Sequence, residues 1–259
     1  LASIARACEA GTDLGLAVDA DGLLRAGRAD LNATWMDART KDGPVTPRAG
    51  LPVEIQALWY SLLAFLAERD SAWQGPRDRC GTAFVRAFWL ADGKRLADRV
   101  HDGVADASVR PNMLVAAALP RSPLSAAQRA GCVAAAEAEL LVPIGLRTLS
   151  PHDGAYRGRY EGDQERRDRA YHQGTAWPWL AGFHVEAALR AAPRARKRTA
   201  AKLRAWLDGI APELDRAGLG HVSEVFDGDA PHRPGGTFAQ AWNTGELLRA
   251  LALVAEAQA

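Results

Sequence analysis

Five carboxylates lie in or beside the segments between apolar runs, where they could donate or accept protons: Asp37, Glu54, Asp163, Glu224 and Asp227. Hydrolysis of a glycosidic bond needs two such groups, one to protonate the leaving oxygen and one to activate water or attack the sugar. The residue types alone do not select a pair. For each of the five, a salt bridge to a nearby arginine is an equally good interpretation.

Aromatic side chains accompany these carboxylates. The chain has eight tryptophans, and Trp35, Trp177, Trp179 and Trp242 lie in or beside the same segments. A pyranose stacks its apolar face on an aromatic ring, and its hydroxyl groups bond to carboxylate, amide and guanidinium groups. Taken singly, each tryptophan is best interpreted as a core residue. Because all four occur close to charged residues in the sequence, however, a saccharide pocket is favoured. His172 fits a sugar contact and an internal hydrogen bond equally well.

The elements that position these residues are predicted from the helical spacing of apolar side chains. Helices are predicted at 1–10, 51–69, 77–89, 111–119, 125–141, 175–192, 197–214 and 237–257. Pro52 and Pro178 fit first helical turns, and Ser125 fits an N-cap. Long loops, which are usually functional, are predicted at 27–50, 91–109, 143–174 and 218–236. Segments 15–19 and 23–26 predict a small hairpin. The pattern indicates an all-α fold of helix pairs around a centre, with the loops at one end.

Composition and motifs exclude several other classes. The 32 basic and 31 acidic side chains give a formal charge of +1, and the basic run at 194–198 is best interpreted as a solvated helix start, so no nucleic-acid partner is expected. No apolar run of about 20 residues predicts a membrane span. Cys8, Cys80 and Cys132 form neither a metal pattern nor a disulfide framework, which favours reduced thiols in a cytoplasmic protein. The sequence contains no nucleophilic-serine elbow and no phosphate-binding loop, and its histidines do not have the spacing of zinc ligands. We therefore expect no metal and no cofactor.

An ordered set of motifs resembles the amylo-α-1,6-glucosidase domain of glycogen debranching enzymes, from about residue 10 to 255. The motif Trp-Met-Asp at 35–37 is weak evidence for the family when taken alone. The motif Tyr-His-Gln-Gly-Thr-Ala-Trp-Pro-Trp at 171–179 is specific to it. The remaining matches are at 45–48, 53–60, 109–112, 145–149, 156–163 and 223–228.

The resemblance implies a fold, a reaction and a site. The fold is an (α/α)6 barrel with the active site at one end, as in the glucoamylase-like clan, and the substrate is glycogen or limit dextrin. Asp37 matches the general acid and Glu224 the general base of an inverting glycosidase, which requires about 6.5–9.5 Å between the two groups. The candidates for binding glucose are Trp35, Arg48, Glu54, Arg110, Asn112, Tyr160, Asp163, His172, Gln173, Trp177, Trp179 and Asp227.

The chain departs from the family pattern in two ways. About eight helices are predicted against twelve in a complete barrel, and a Trp-Gly-Arg-Asp-type segment that lines the family's glucose pocket is not found. We therefore expect residues 1–259 to form a single domain, the C-terminal two-thirds of a catalytic domain, as a fragment or a reduced homologue. A fragment is expected to be inactive in isolation. Two alternatives stay open: a related hydrolase acting on another α-glucoside, and a non-catalytic glucan-binding module.

Overall fold

The computed structural model describes residues 1–26, 30–31 and 33–259; residues 27–29 and 32, in the first predicted loop, lie outside this part. Within it, nine α-helices occur. They are α1 (Ala2–Ala10), α2 (Val53–Ala67), α3 (Gln74–Phe88), α4 (Met113–Ala118), α5 (Ala126–Glu139), α6 (Gln164–Tyr171), α7 (Leu180–Ala191), α8 (Arg196–Asp208) and α9 (Ala241–Gln258). Three 3-10 turns cover Ser71–Trp73, Pro193–Ala195 and Ala211–Asp215.

Seven of these helices pack in two layers. In the inner layer α2 packs on α4, α4 on α7, and α7 on α9, while α3, α5 and α8 pack outside them. All six residues of α4 are buried, as expected of a short helix enclosed by neighbours. In the outer layer α5 begins with a capping box, in which Ser125 and Gln128 satisfy each other's backbone N–H groups. The mostly helical architecture agrees with the all-α fold that the sequence predicts.

The strands are short and join the loops to one another. They are β1 (Ala17–Val18), β2 (Leu24–Arg25), β3 (Arg39–Thr40), β4 (Gly43–Pro44), β5 (Leu51–Pro52), β6 (Trp89–Leu90), β7 (Arg95–Leu96), β8 (Arg99–His101), β9 (Val104–Asp106), β10 (Leu141–Val142), β11 (Gly145–Arg147), β12 (Ala176–Trp177), β13 (Val225–Phe226) and β14 (Pro234–Gly235). Strands β10 to β14 form one antiparallel sheet in sequential order. It ties the third and fourth predicted loops together.

The hairpin predicted at 15–26 is confirmed, since β1 and β2 pair antiparallel. Four predictions were wrong in detail. The predicted loop 143–174 contains α6, and the predicted helix 175–192 begins at Leu180 because Ala176 and Trp177 are in a strand. The predicted helix 197–214 ends at Asp208, and the predicted helix 237–257 begins at Ala241. The sheet β10–β14 was not predicted.

Among the helices of the described residues, none has the length and apolar character required to span a bilayer.

Candidate active site

The Glu224 carboxylate lies directly before β13 and is held by two donors. The Tyr171 hydroxyl donates to Oε1, and the backbone N–H of Thr237 donates to Oε2 at 2.8 Å. The side chain of Asn243, on α9, donates to the backbone oxygens of Ser223 and Glu224 at 2.7 and 2.9 Å. The residue is half-buried. Glu224 is therefore fixed in position while part of it can reach solvent.

The Tyr171 hydroxyl interacts with Glu224 through a hydrogen bond and with Asp37 through its charge. The tyrosine ends α6, and burial raises the pKa of its hydroxyl, with further contributions from the hydrogen bond to Glu224 and the charges of Glu224, Tyr160 and Asp37. The hydroxyl thus stays protonated and acts on Glu224 as a donor. Both carboxylates are therefore close enough to this hydroxyl for their charges to act on it.

Asp37 follows a tightly held tryptophan. The indole N–H of Trp35 donates to Oδ1 of Asn112 at 2.7 Å, and Met36 is buried. Loss of water around the Asp37 carboxyl raises its pKa, which one backbone hydrogen bond partly opposes. A raised pKa favours the protonated form, which a general acid needs.

Aromatic rings form a continuous cluster beside this motif. The ring of Trp35 meets Trp179, His172 and Trp177 edge to face, at centroid distances of 4.9, 5.2 and 5.8 Å. Trp177 and Trp179 are buried, and Trp35 is half-buried. The predicted aromatic residues are therefore brought together, with most of their surface used in mutual packing.

Behind this cluster lies a buried group of charges. The Arg48 guanidinium forms ion pairs with Glu54 and Asp98, and all three residues are at most 6% exposed. Asn112 donates to Oδ1 of Asp98 at 2.8 Å, while accepting from Trp35. Burial raises the pKa of Glu54, the charge of Arg48 opposes this, and Asp98 adds to it. Through Asn112, this buried group of charges holds the Trp35 side chain in position.

Arg110 and Gln173 connect the loops. Arg110 is buried and donates to the backbone oxygens of Thr148 and His172 at 3.1 and 2.7 Å, and to Oε1 of Gln173 at 2.6 Å. Gln173 in turn donates to the backbone oxygen of Val45 at 3.3 Å. These contacts give both residues a positioning role.

Asp163 and Asp227, two further predicted site residues, have clear structural partners. Asp163 is exposed and caps α6 by accepting from the backbone N–H of Arg166 at 2.9 Å. Asp227 is buried, pairs with Arg233 at 2.8 Å and Arg159 at 3.4 Å, and accepts from the backbone N–H of Tyr160. The described contacts of these two aspartates stabilise loops.

Tyr160 lies nearer to the carboxylates. Its ring centroid is 5.6 Å from that of Tyr171, and it is half-buried. Burial, followed by the charge of Glu224, raises the pKa of its hydroxyl. Tyr160 is therefore adjacent to the predicted base.

Sequence reasoning missed Asp98 and Asn243, and did not include Tyr171 among the site residues. Asp98 is in the predicted loop 91–109 with no motif around it, and Asn243 is inside a predicted helix. Only Tyr171 had a usable signal, because it opens the specific motif at 171–179.

His172 is 1% exposed, and burial, reinforced by the charges of Arg110 and Arg48, lowers its pKa from 6.5 to about 3. The folded protein therefore keeps this ring neutral where the unfolded chain binds a proton. The associated stability is complete above pH 6.5 and is lost progressively as the pH falls towards 3. We expect a loss of about 2 kcal/mol between pH 6.5 and pH 5.

Urea unfolding at several pH values measures this loss. His172→Phe should show a weaker acid sensitivity between pH 6.5 and pH 5 than the unmodified protein. His221→Phe, at an exposed histidine, is the matched control and should retain the sensitivity. Equal acid sensitivity in the unmodified protein and His172→Phe would contradict the assignment of a buried, neutral ring.

Comparison with known proteins places the chain in a family. Residues 1–249 match the family described as Amylo-alpha-1,6-glucosidase. The glycogen debranching enzyme of Saccharomyces cerevisiae is 32% identical over 88 residues, which are 32% of this chain and 6% of that protein. The chain thus spans a small part of that relative.

Solved structures agree on the fold. A GH63 mannosylglycerate hydrolase from Thermus thermophilus has a TM-score of 0.53 at 16% identity, covering 80% of this chain and 45% of that one. The neutral trehalase of Saccharomyces cerevisiae has a TM-score of 0.58 at 14% identity, covering 86% and 42%. Both are (α/α)6-barrel glycosidases, which confirms the predicted fold class. Since the family match extends over nearly the whole sequence, the chain belongs to the amylo-α-1,6-glucosidase family.

Proposed function

We propose that this chain carries the acid and base of an inverting α-1,6-glucosidase, which removes single-glucose branch stubs from glycogen or limit dextrin. Asp37 protonates the glycosidic oxygen, and Glu224 removes a proton from the water that attacks the opposite face of the sugar. The reaction consumes one water and releases β-glucose. The α-glucan is the partner, and a cytoplasmic location remains a prediction from the cysteines.

The observation that carries this proposal is the hydrogen bond from the Tyr171 hydroxyl to Glu224, with Asp37 close enough for its charge to act on the same hydroxyl. The environments of the two carboxylates suit different roles. Loss of water raises the pKa of Asp37, which suits an acid, whereas Glu224 is held in one position by two hydrogen-bond donors, which suits a residue that must orient a water. Arg48, Glu54, Arg110, Asn112 and Gln173 then act mainly by positioning, with Trp35, Tyr160 and Tyr171 nearest the sugar.

Proton NMR of the released sugar tests the proposal. The full-length protein is incubated with an oligosaccharide that carries one α-1,6-linked glucose, and the anomeric signals are followed from the first minutes. We expect β-glucose to appear first and the α-anomer only by mutarotation. Initial release of α-glucose would refute inversion.

Two further outcomes identify the alternatives. Turnover of trehalose or of a linear α-1,4-glucan in place of the branched substrate would indicate a related hydrolase with another specificity. Glucan binding without turnover, surviving both Asp37→Asn and Glu224→Gln, would indicate a non-catalytic binding module.

A further inference from the structure

A large aromatic side chain beside the site, Trp242, is partly exposed. Trp242, at the start of α9, is 42% exposed, although its ring stacks on Trp179 with a centroid distance of 4.0 Å and an interplanar angle of 18°. One face of the indole is thus covered by Trp179. The other face offers apolar contact area on which a sugar ring can stack.

Trp242 is fixed next to both catalytic motifs. Its neighbour Asn243 accepts from the backbone N–H of Trp179 at 3.0 Å and donates to the backbone oxygens of Ser223 and Glu224. The rings of Trp242 and Trp35 are 6.4 Å apart at an interplanar angle of 87°. The helix start is therefore anchored to the segment of the base and to the aromatic cluster behind the acid.

The exposed surface of Trp242 does not belong to the apolar groove between α8 and α9. That groove, of about 330 Å³, is lined by Leu207, Leu214, Leu248 and Leu251 among others, and Trp242 is not part of its lining. Residues three, four and seven positions after Trp242 share its side of the helix. Two of these, Glu246 and Arg249, lie against Gly182 of α7, and Arg249 pairs with Glu186 there.

Depth distinguishes Trp242 from Trp177 and Trp179. Trp177 and Trp179 are each 3% exposed, whereas Trp242 reaches the surface. An enzyme that removes a terminal glucose encloses that unit and leaves the rest of the polymer outside. A surface ring next to the catalytic residues suits the apolar face of a sugar in that outer part.

We propose that the exposed face of Trp242 is a stacking platform for a glucosyl unit of the glucan chain on the leaving-group side of the scissile bond. The inference rests on the proposed function and extends it, since it assigns a specificity-determining residue for the polymeric substrate. The ring contributes contact area and no proton transfer.

Two substrates separate this role from a structural one. The branched oligosaccharide has sugars on the leaving side, whereas α-glucosyl fluoride has only fluoride there. In Trp242→Ala, the ratio of kcat/KM for the oligosaccharide to kcat/KM for the fluoride should fall about tenfold, with the loss mainly in KM. Trp242→Phe should retain most of the ratio, and Leu248→Ala, an exposed apolar residue elsewhere on α9, should leave it unchanged.

A proportionate loss on both substrates, or an unchanged ratio, would overturn the proposal. Calorimetric titration with maltoheptaose gives a readout that does not require turnover. Trp242→Ala should weaken binding about tenfold relative to the unmodified protein. If neither substrate is turned over but this loss is seen, the proposed function fails and the platform stands. If maltoheptaose does not bind the unmodified protein, or binds Trp242→Ala equally well, the platform is refuted.

Discussion

Asp37→Asn is expected to lower kcat for the branched oligosaccharide by about 10²- to 10⁴-fold, because an amide cannot protonate the leaving oxygen. Initial rates of glucose release by the full-length protein at saturating substrate measure the effect. Asp163→Asn is the matched control. It makes the same change at another motif carboxylate, and asparagine caps a helix as well as aspartate does, so activity and fold should be retained.

The pH profile gives this prediction a second readout. A general acid works only when protonated, so kcat/KM should fall as the pH rises through the raised pKa of Asp37. The alkaline limb of the profile should therefore disappear in Asp37→Asn. An alkaline limb that persists in this variant, or a variant of full activity, would remove Asp37 from the acid role.

Arg48→Ala is expected to lower the free energy of unfolding by about 3–5 kcal/mol, because it leaves Glu54 and Asp98 buried without their cation. Urea unfolding followed by circular dichroism measures the change. The loss should be smaller at pH 5 than at pH 8. Burial already raises the pKa of Glu54, and removal of the opposing Arg48 charge raises it further, so this carboxyl can be neutralised by protonation.

Arg204→Ala serves as the control for this second prediction. Arg204 pairs with Asp208 at 2.7 Å on the exposed side of α8, where water screens the interaction. Its removal should leave the unfolding midpoint within experimental error. An equal loss in both variants, or no loss in Arg48→Ala, would show that the buried group does not stabilise the fold.

The sequence predicted best those helices whose local signals agree. Ser125 and Gln128 form a capping box at the start of α5, and the apolar residues of α2 recur at helical spacing. By contrast, α6 reads Gln-Glu-Arg-Arg-Asp-Arg-Ala-Tyr and has no apolar stripe, so periodicity gave no signal for it. Its N-cap, Asp163, was interpreted as a sugar ligand because a capping aspartate and a binding aspartate look alike in a sequence.

The remaining errors arose where contacts between distant parts of the chain determine the local structure. Trp177 precedes a proline, and such a residue is biased towards extended backbone, yet the apolar run around it suggested helix. Strands of two or three residues are too short to show alternation, so the sheet β10–β14 could not be predicted from the sequence. Asp98 was missed because its role depends on Arg48 and Asn112, which are distant in the chain and meet it only after folding.

The short sheet also has a consequence for the order of folding. Its pairings join distant residues, Leu146 with Trp177 and Ala176 with Phe226, through strands too short to persist alone. Such pairings must follow the closure of long loops, whereas helical contacts form locally and fast. The helical layers should therefore assemble first, and the segments that carry Tyr171 and Glu224 should be the last to gain protection from proteases during refolding.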